Sequence, residues 1–303
     1  MARPDGRGYG RRRRGTTAGR CGTDACILTR VRTATLPPPE PVPWTPGLAG
    51  EFPGQRCVRT VGTPPVEMVF CWCPPGELPR GEDGGVGPAQ IARGFWLAQH
   101  PVNQAQWRAV MGTNPSQRGQ GPAHPVDTVS WKEAQEFCKM AGLRLPTEAE
   151  WEYACRAGTT TPFAVGDGRS LNAQRANFDG NHPDGEVRDA FKWLYRKQTL
   201  PEGSFPPNAW GLHEMHGQLW EWCEDEIAGW FRVLRGGCWI IEGRQARAGN
   251  RIGSAPGIRS VNHGFRPCPS STPGGPGRPE ARKPRSGARS GARDERNDSP
   301  AQR

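Results

Sequence analysis

The sequence lacks a hydrophobic run of membrane-spanning length. No stretch of the 303 residues approaches the ~20 consecutive apolar residues that a spanning helix requires. No apolar segment follows the basic N-terminus either, so we expect no secretory signal and a cytoplasmic protein, with surface display left open. The ten cysteines are scattered, and without an export signal we expect most of them to be reduced thiols.

Large apolar side chains are scarce outside the middle of the chain. Hydrophobic residues make up 34% of the sequence, and 41 glycines and 32 prolines indicate many turns. All 12 tryptophans fall between Trp44 and Trp239. We therefore predict one domain over residues 66–268. A disordered basic segment rich in proline and glycine is predicted over 1–65, and a disordered basic tail over 269–303.

The net charge of +10 belongs to the two ends of the chain. Residues 1–36 contain nine arginines and two aspartates, and residues 269–303 contain eight basic and four acidic residues, so the part between them is nearly neutral. Such tails could bind nucleic acid or anionic surfaces weakly. Flexible, solvated tails with no partner have the same composition and are the simpler interpretation.

Capping signals predict three short helices. In each, a side-chain oxygen before the helix and a Glu or Gln three residues later can satisfy free backbone N–H groups. The helices and their capping pairs are 104–111 with Asn103 and Gln106, 131–141 with Ser130 and Glu133, and 148–156 with Thr147 and Glu150. From residue 159 onward, short apolar pieces alternate with turn residues, which indicates a mixed, irregular region.

Eight motifs follow one another over about two thirds of the chain. They are Phe95–Leu97, Pro101–Trp107, Pro125–Trp131, Arg144–Ala154, Asn208–Leu212, Gly217–Trp222, Arg235–Gly237 and Gly264–Arg266. In this order they resemble the formylglycine-generating-enzyme-like, or sulfatase-modifying-factor, family. The resemblance implies an α+β domain with an elaborated C-type-lectin-like fold, in which short helices and strands are joined by much irregular loop.

The oxidases of that family convert a substrate cysteine to formylglycine with copper(I), for which two thiolates are suitable soft ligands. By the family pattern, those cysteines would stand at Ile241 and Ala246 of this chain. The resemblance therefore implies that copper is absent and that catalysis is disfavoured. The alternative is an oxidase acting on a cysteine-containing polypeptide through a relocated pair, Cys223 and Cys238.

The resemblance also implies structural calcium, which prefers oxygen ligands. Asn177 and the carbonyl of Phe178 would serve one site, and Glu221 would serve another. Gln218 replaces the asparagine with which the second site normally begins. The alternative is that Asn177 and Glu221 belong to buried hydrogen-bond networks.

The segment Arg232–Arg266 resembles the variable region of proteins that diversity-generating retroelements alter. In these variable proteins, a reverse transcriptase rewrites asparagine codons on the ligand-binding face. The ligand-binding residues predicted here are Cys238, Trp239, Ile240, Ile241, Gly243, Ile252, Ser254, Ile258, Ser260, Val261, Asn262 and His263. If the isoleucines and Val261 are exposed, they form an apolar patch of the kind that marks a binding site; packing within core strands is the alternative.

These observations favour a non-catalytic protein that binds a protein or other macromolecular ligand through residues 238–263. We predict that its gene lies beside a reverse-transcriptase gene and an adenine-rich near-repeat of this segment. Sequencing the genomic locus tests the prediction. A locus with neither element would contradict diversification and would leave the binding fold unaffected.

Overall fold

Three helices and twelve short strands make up the described part of the computed structural model, residues 39–185 and 194–270. The helices are α1 (Gln104–Met111), α2 (Trp131–Ala141) and α3 (Glu148–Arg156), with a 3₁₀ helix at Gly243–Ala246. The strands are β1 (Val42–Pro43), β2 (Arg56–Val61), β3 (Val66–Cys73), β4 (Gly76–Leu78), β5 (Ala89–Ile91), β6 (Phe95–Ala98), β7 (Leu143–Arg144), β8 (Trp220–Ile227), β9 (Phe231–Arg235), β10 (Arg251–Ser254), β11 (His263–Gly264) and β12 (Cys268–Pro269). Among the described residues, no helix is long and apolar enough to cross a membrane.

The strands form two four-stranded sheets and two small pairs. The first sheet has the order β1-β2-β3-β6, and the second has the order β10-β9-β8-β11. The small pairs are β12 with β7 and β4 with β5. Within the second sheet, β8 to β10 are antiparallel, whereas β11 joins β8 in parallel.

The domain begins earlier than the sequence predicted. Strand β2 pairs with β3 along its whole length, from Arg56 opposite Cys71 to Val61 opposite Val66. Cys57 and Val61 are buried in the core, so these residues are not a disordered lead-in. The high proline and glycine content around β2 indicated disorder, but β2 is a short strand that its pairing with β3 stabilises. At the other end, β12 extends the domain past residue 268, and residues 1–38 and 271–303 lie outside the described residues.

The predicted helices are confirmed with the predicted bounds. Each N-terminus has both hydrogen bonds of its capping box. Helices α1 and α2 end at glycines with left-handed backbone, as expected. Helix α3 instead ends at Ala157, whose φ of 45° is unusual for a residue with a side chain.

Aromatic packing joins the helices to the C-terminal motif. The rings of Trp107 on α1 and Phe137 on α2 are stacked with centroids 5.6 Å apart. Phe265 meets both rings edge-on. All three side chains are buried, so one cluster ties α1 and α2 to the chain after β11.

Two buried arginines connect the second sheet to the rest of the domain. Arg235 at the end of β9 donates to Glu152 of α3 at 2.6 Å. Arg266 donates twice to Glu221 of β8, at 2.6 and 2.7 Å, and Trp151 of α3 donates to the same carboxylate. Both arginine side chains are fully buried, so each charge depends on its partner.

We predict that Arg266→Met lowers the free energy of unfolding by about 3–5 kcal/mol, because it leaves the buried Glu221 carboxylate without its cation. The matched control is Arg259→Met, since Arg259 pairs with Glu133 but is exposed; its loss should cost less than about 1 kcal/mol. Urea denaturation measures both. If Arg266→Met does not fold, the denaturation is measured on Arg266→Lys, which keeps the positive charge. Equal losses for the buried and exposed positions would contradict the prediction.

Candidate functional site

The predicted binding segment starts at a tight turn after β9. Gly236 and Gly237 there have φ values of 89° and 80°. A Cβ on Gly237 would lie 2.7 Å from the Cδ1 atom of Ile241, so the turn has no room for a side chain. The chain then forms the 3₁₀ helix and returns as β10 beside β9.

The order of the second sheet divides the predicted segment. Strand β10 carries Ile252 and Ser254 on one edge, and β11 carries His263 on the opposite edge. With two strands between them and strands about 4.8 Å apart, these edges are roughly 14 Å apart. Residues 251–254 therefore lie apart from the end of the segment.

Burial changes the predicted apolar patch further. Ile240 and Ile258 are exposed, at 46% and 50% of their surface. Ile241 and Ile252 are instead partly buried against the core, and Val261 is half-buried. Ile252 packs on the core because it stands opposite the buried Leu234 of β9. Only Ile240 and Ile258 of the five are therefore exposed, and the alternative of packing against the core applies to Ile241 and Ile252.

The other predicted residues divide between buried and half-buried positions. Those that are buried are Cys238, Trp239, Gly243 and His263, and those that are half-buried are Ser254, Ser260 and Asn262. The buried group supports the surface rather than forming it.

The two ends of the segment contact each other. The indole N–H of Trp239 donates to the carbonyl of Val261 at 3.4 Å, and the Asn262 amide lies 3.5 Å from the Sγ atom of Cys238. Ile240 follows the first end and Ile258 precedes the second. The contacts thus join Cys238 and Trp239 to Val261 and Asn262.

Loops elsewhere in the sequence complete this region. The ring of Tyr195 stacks on Trp239 with centroids 6.4 Å apart, and the Arg118 guanidinium lies 5.9 Å from the same indole. Leu194, next to Tyr195, is 39% exposed. We name as the Trp239 surface the residues Arg118, Leu194, Tyr195, Ile240 and Ile258, with the buried Trp239 beneath them. Arg118, Leu194 and Tyr195 were not predicted, since no motif covers their loops.

The positions of the oxidase cysteines lie in an apolar cluster. Ala246 is fully buried there with Phe163 and Phe178, and Ile241 packs against the same cluster. Both side chains offer only carbon atoms, so these residues do not fit copper(I).

The relocated cysteine pair is not brought together. Cys223 and Cys238 are both buried, but they belong to different core clusters. Burial raises the pKa of Cys238 to about 12 and the pKa of Cys223 well above its usual value. Both are neutral thiols near pH 7, and a neutral thiol is a poor metal ligand.

The proposed calcium ligands differ in how well they fit an ion. Both oxygens of Glu221 are bonded to Arg266, and one also accepts from Trp151, so Glu221 does not fit calcium. Asn177 donates its amide N–H to Gln218 and to the Gln198 carbonyl.

The side-chain oxygen of Asn177, unlike its amide nitrogen, has no partner. Its Oδ1 atom is buried without a hydrogen-bond partner, which fits a cation ligand. The neighbouring Phe178 places its ring in the apolar cluster, and its carbonyl is the second ligand that the family pattern would supply.

A buried cysteine–histidine pair was also missed by the sequence analysis. The Sγ atom of Cys155 lies 3.8 Å from the Nε2 atom of His216. Burial raises the pKa of Cys155 to about 12 and lowers the pKa of His216 to about 4. Both groups are therefore uncharged at neutral pH, and the pair lacks the thiolate that a reactive cysteine needs.

Comparisons with known proteins agree with this architecture. The profile of the sulfatase-modifying factor enzyme 1-like domain matches residues 55–269. The inactive C-alpha-formylglycine-generating enzyme 2 of Bos taurus is 36% identical over 196 residues, which are 61% of this chain and 60% of that protein. The Bos taurus formylglycine-generating enzyme is 38% identical over 154 residues, which are 50% of this chain and 39% of that enzyme. The chain thus spans well under two thirds of the length of these relatives.

A solved structure gives the same result for the fold. Treponema denticola variable protein 1 matches with a TM-score of 0.60 at 23% identity, over 71% of this chain and 99% of that protein. The predicted α+β, C-type-lectin-like and formylglycine-generating-enzyme-like fold is confirmed, and so is the resemblance carried by the motifs. This chain belongs to the sulfatase-modifying factor enzyme 1-like domain family.

Proposed function

We propose that this chain is a non-catalytic ligand-binding protein and that the Trp239 surface contacts a macromolecular partner. The observation that carries the proposal is the exposed Ile240, which follows Trp239 in the chain, together with the stacking of Trp239 on Tyr195. Ile258 is a second exposed isoleucine of the same segment. Exposed aliphatic side chains around an aromatic centre are typical of protein interfaces.

The chemistry of the surrounding side chains favours a protein partner. Arg118 lies against Trp239, and the ammonium of Lys197 lies 5.7 Å from the ring of Tyr195. Aromatic residues and arginine dominate interface hot spots, and the basic rim favours acidic groups on the partner. The partner class is therefore a protein whose apolar contact region is bordered by carboxylates.

The same region supports the diversified version of the proposal. The exposed positions 240 and 258 lie in the segment that resembles a variable region, and buried residues precede and follow it. The fold similarity to a variable protein is consistent with this role. We propose that changes at the exposed positions alter recognition without altering the fold.

The first test is site-specific photo-crosslinking with benzoylphenylalanine at position 240 or 258. Matched controls carry the probe at Met140 or Trp230, which are 60% and 65% exposed elsewhere on the domain. We expect a discrete adduct with a protein of the source organism from 240 and 258 alone. Wild-type chain should compete for the adduct, and Ile240→Asp should compete at least about tenfold less well.

Identical adduct patterns at all four positions, or equal competition by Ile240→Asp, would contradict the proposed binding surface. The probe at the control positions reports non-specific contact, because those side chains are at least as exposed.

The oxidase alternative is tested by copper(I) titration under anaerobic, reducing conditions. We expect no copper site that depends on Cys223 or Cys238, and no oxidation of a sulfatase-type cysteine peptide. The titration uses a Cys21→Ser, Cys26→Ser background, which removes the two cysteines outside the described residues.

A gain-of-binding variant makes this test sharper. A Cβ atom on Gly237 would lie 2.7 Å from the Cδ1 atom of Ile241 and 3.1 Å from the Cβ atom of Ala246, so these two side chains are neighbours. Ile241→Cys with Ala246→Cys should therefore acquire copper(I) binding. A copper equivalent in the parent that disappears on Cys223→Ser or Cys238→Ser would overturn the non-catalytic proposal.

A further inference from the structure

Two histidines and a glutamate meet on loops that the proposed function does not use. His100 follows β6, and His213 and Glu214 follow the Asn208–Leu212 motif. Each of the three offers a ligand atom, and these atoms all lie within 4.8 Å of one another. The set is distinct from the calcium and copper positions considered above.

Hydrogen bonds to the backbone fix these two loops relative to each other. The N–H of His213 donates to the carbonyl of Gln99 at 3.0 Å. The buried guanidinium of Arg266 donates to the carbonyls of Gln99 and His213, at 3.1 and 2.8 Å. The side chains of His100 and His213 are therefore carried by backbone segments that one buried cation fixes.

The two imidazole rings face each other closely. Their centroids are 4.6 Å apart and their planes are inclined by 28°. Two protonated imidazoles would repel each other at this distance. A metal ion is instead bound by the nitrogen lone pair of a neutral imidazole.

His213 has the hydrogen bond that metal-binding histidines typically make. Its Nδ1 atom lies 2.9 Å from the carbonyl of Phe205, so an N–H there donates to that oxygen. This bond leaves Nε2 with a free lone pair and sets the orientation of the ring. Second-shell carbonyls perform the same task at known metal sites.

Glu214 supplies an independent observation. Its side chain is 1% exposed, and its Oε1 atom is buried without a hydrogen-bond partner. The other oxygen, Oε2, lies 2.9 Å from the Nδ1 atom of His100. A simple His100–Glu214 ion pair leaves Oε1 unsatisfied, whereas a cation between the three residues satisfies it.

The backbone conformation of Glu214 is also unusual. Its φ of 54° lies in the left-handed region, which non-glycine residues seldom adopt. Such strain collects at ligand-binding positions, where surrounding contacts hold the residue in place. Here the strained residue is the one whose carboxylate has an unpartnered buried oxygen.

We propose that His100, His213 and Glu214 form a binding site for a divalent first-row transition ion, with Zn²⁺ as the representative. Imidazole nitrogens suit such ions and disfavour Ca²⁺ and Mg²⁺, which select all-oxygen sites. Tetrahedral Zn²⁺ with bonds of about 2.0–2.1 Å needs ligand atoms roughly 3.3 Å apart. The ligand atoms, now up to 4.8 Å apart, must therefore approach one another by up to about 1.5 Å when the ion binds.

Access to the site is open on one side. The His100 side chain is 18% exposed, and a small cavity lined by Glu67, Gln106 and Glu202 adjoins it. Three protein ligands leave a fourth position, which water fills in a site of this type.

The test is calorimetric titration of the untagged full chain with Zn²⁺, in the Cys21→Ser, Cys26→Ser background. We expect one equivalent of Zn²⁺ to bind. His213→Gln and Glu214→Gln should each weaken binding at least about tenfold. His182→Gln is the matched control, because His182 pairs with Asp179 but is exposed and has no second histidine beside it. This substitution should leave the affinity for Zn²⁺ unchanged.

Spectroscopy keeps the test independent of folding defects. Circular dichroism and the apo melting temperature first establish that each variant is folded, and Co²⁺ absorption then reports nitrogen and oxygen ligands directly. His100→Gln serves as a second variant, since Gln keeps a donor for Glu214. No binding of Zn²⁺ or Co²⁺ to the folded parent, or undiminished binding in the folded His213→Gln variant, would overturn the proposal.

Discussion

The architecture depends on two buried ion pairs that bracket one stretch of chain. Arg235, which precedes residues 238–263, is bonded to Glu152, and Arg266, which follows them, is bonded to Glu221. Because an unpaired charge is costly in the core, these arginines fix both ends of the stretch to α3 and β8. Arg266 also bonds the carbonyls of Gln99 and His213, so the same cation orders the loops of the proposed metal site.

Between the fixed ends, the direction of each side chain decides its role. Ile241 and Ala246 face an apolar cluster, where the family's oxidases would have thiols, whereas Ile240 faces solvent. Ile241 and Ala246 thus extend the apolar core at the two positions where the family pattern places cysteines. Trp239 links the two layers, since it is buried yet stacked on Tyr195.

Features that depend on local interactions were predicted from the sequence, whereas features that depend on contacts between distant residues were not. Capping boxes are local, so all three helices were predicted to the residue. The β2 strand was missed because its stability comes from β3, and the surrounding composition indicated disorder. The sequence left open whether Ile252 is exposed, because its burial depends on the place of β10 beside β9, which the order of the strands decides. Arg118 and Tyr195 reach Trp239 from distant loops, so no local pattern could have found them.

We propose that residues 235–266 contain both a fixed scaffold and a surface that is free to vary. Saturation mutagenesis of residues 235–266, read out by resistance of the displayed chain to proteolysis, tests this claim most directly. We expect most substitutions at 240 and 258 to leave the folded state intact, whereas most at Arg235 and Arg266, and large side chains at Ala246, should sharply lower the resistance to proteolysis. Equal intolerance at the exposed and the buried positions would contradict the separation of scaffold from recognition surface.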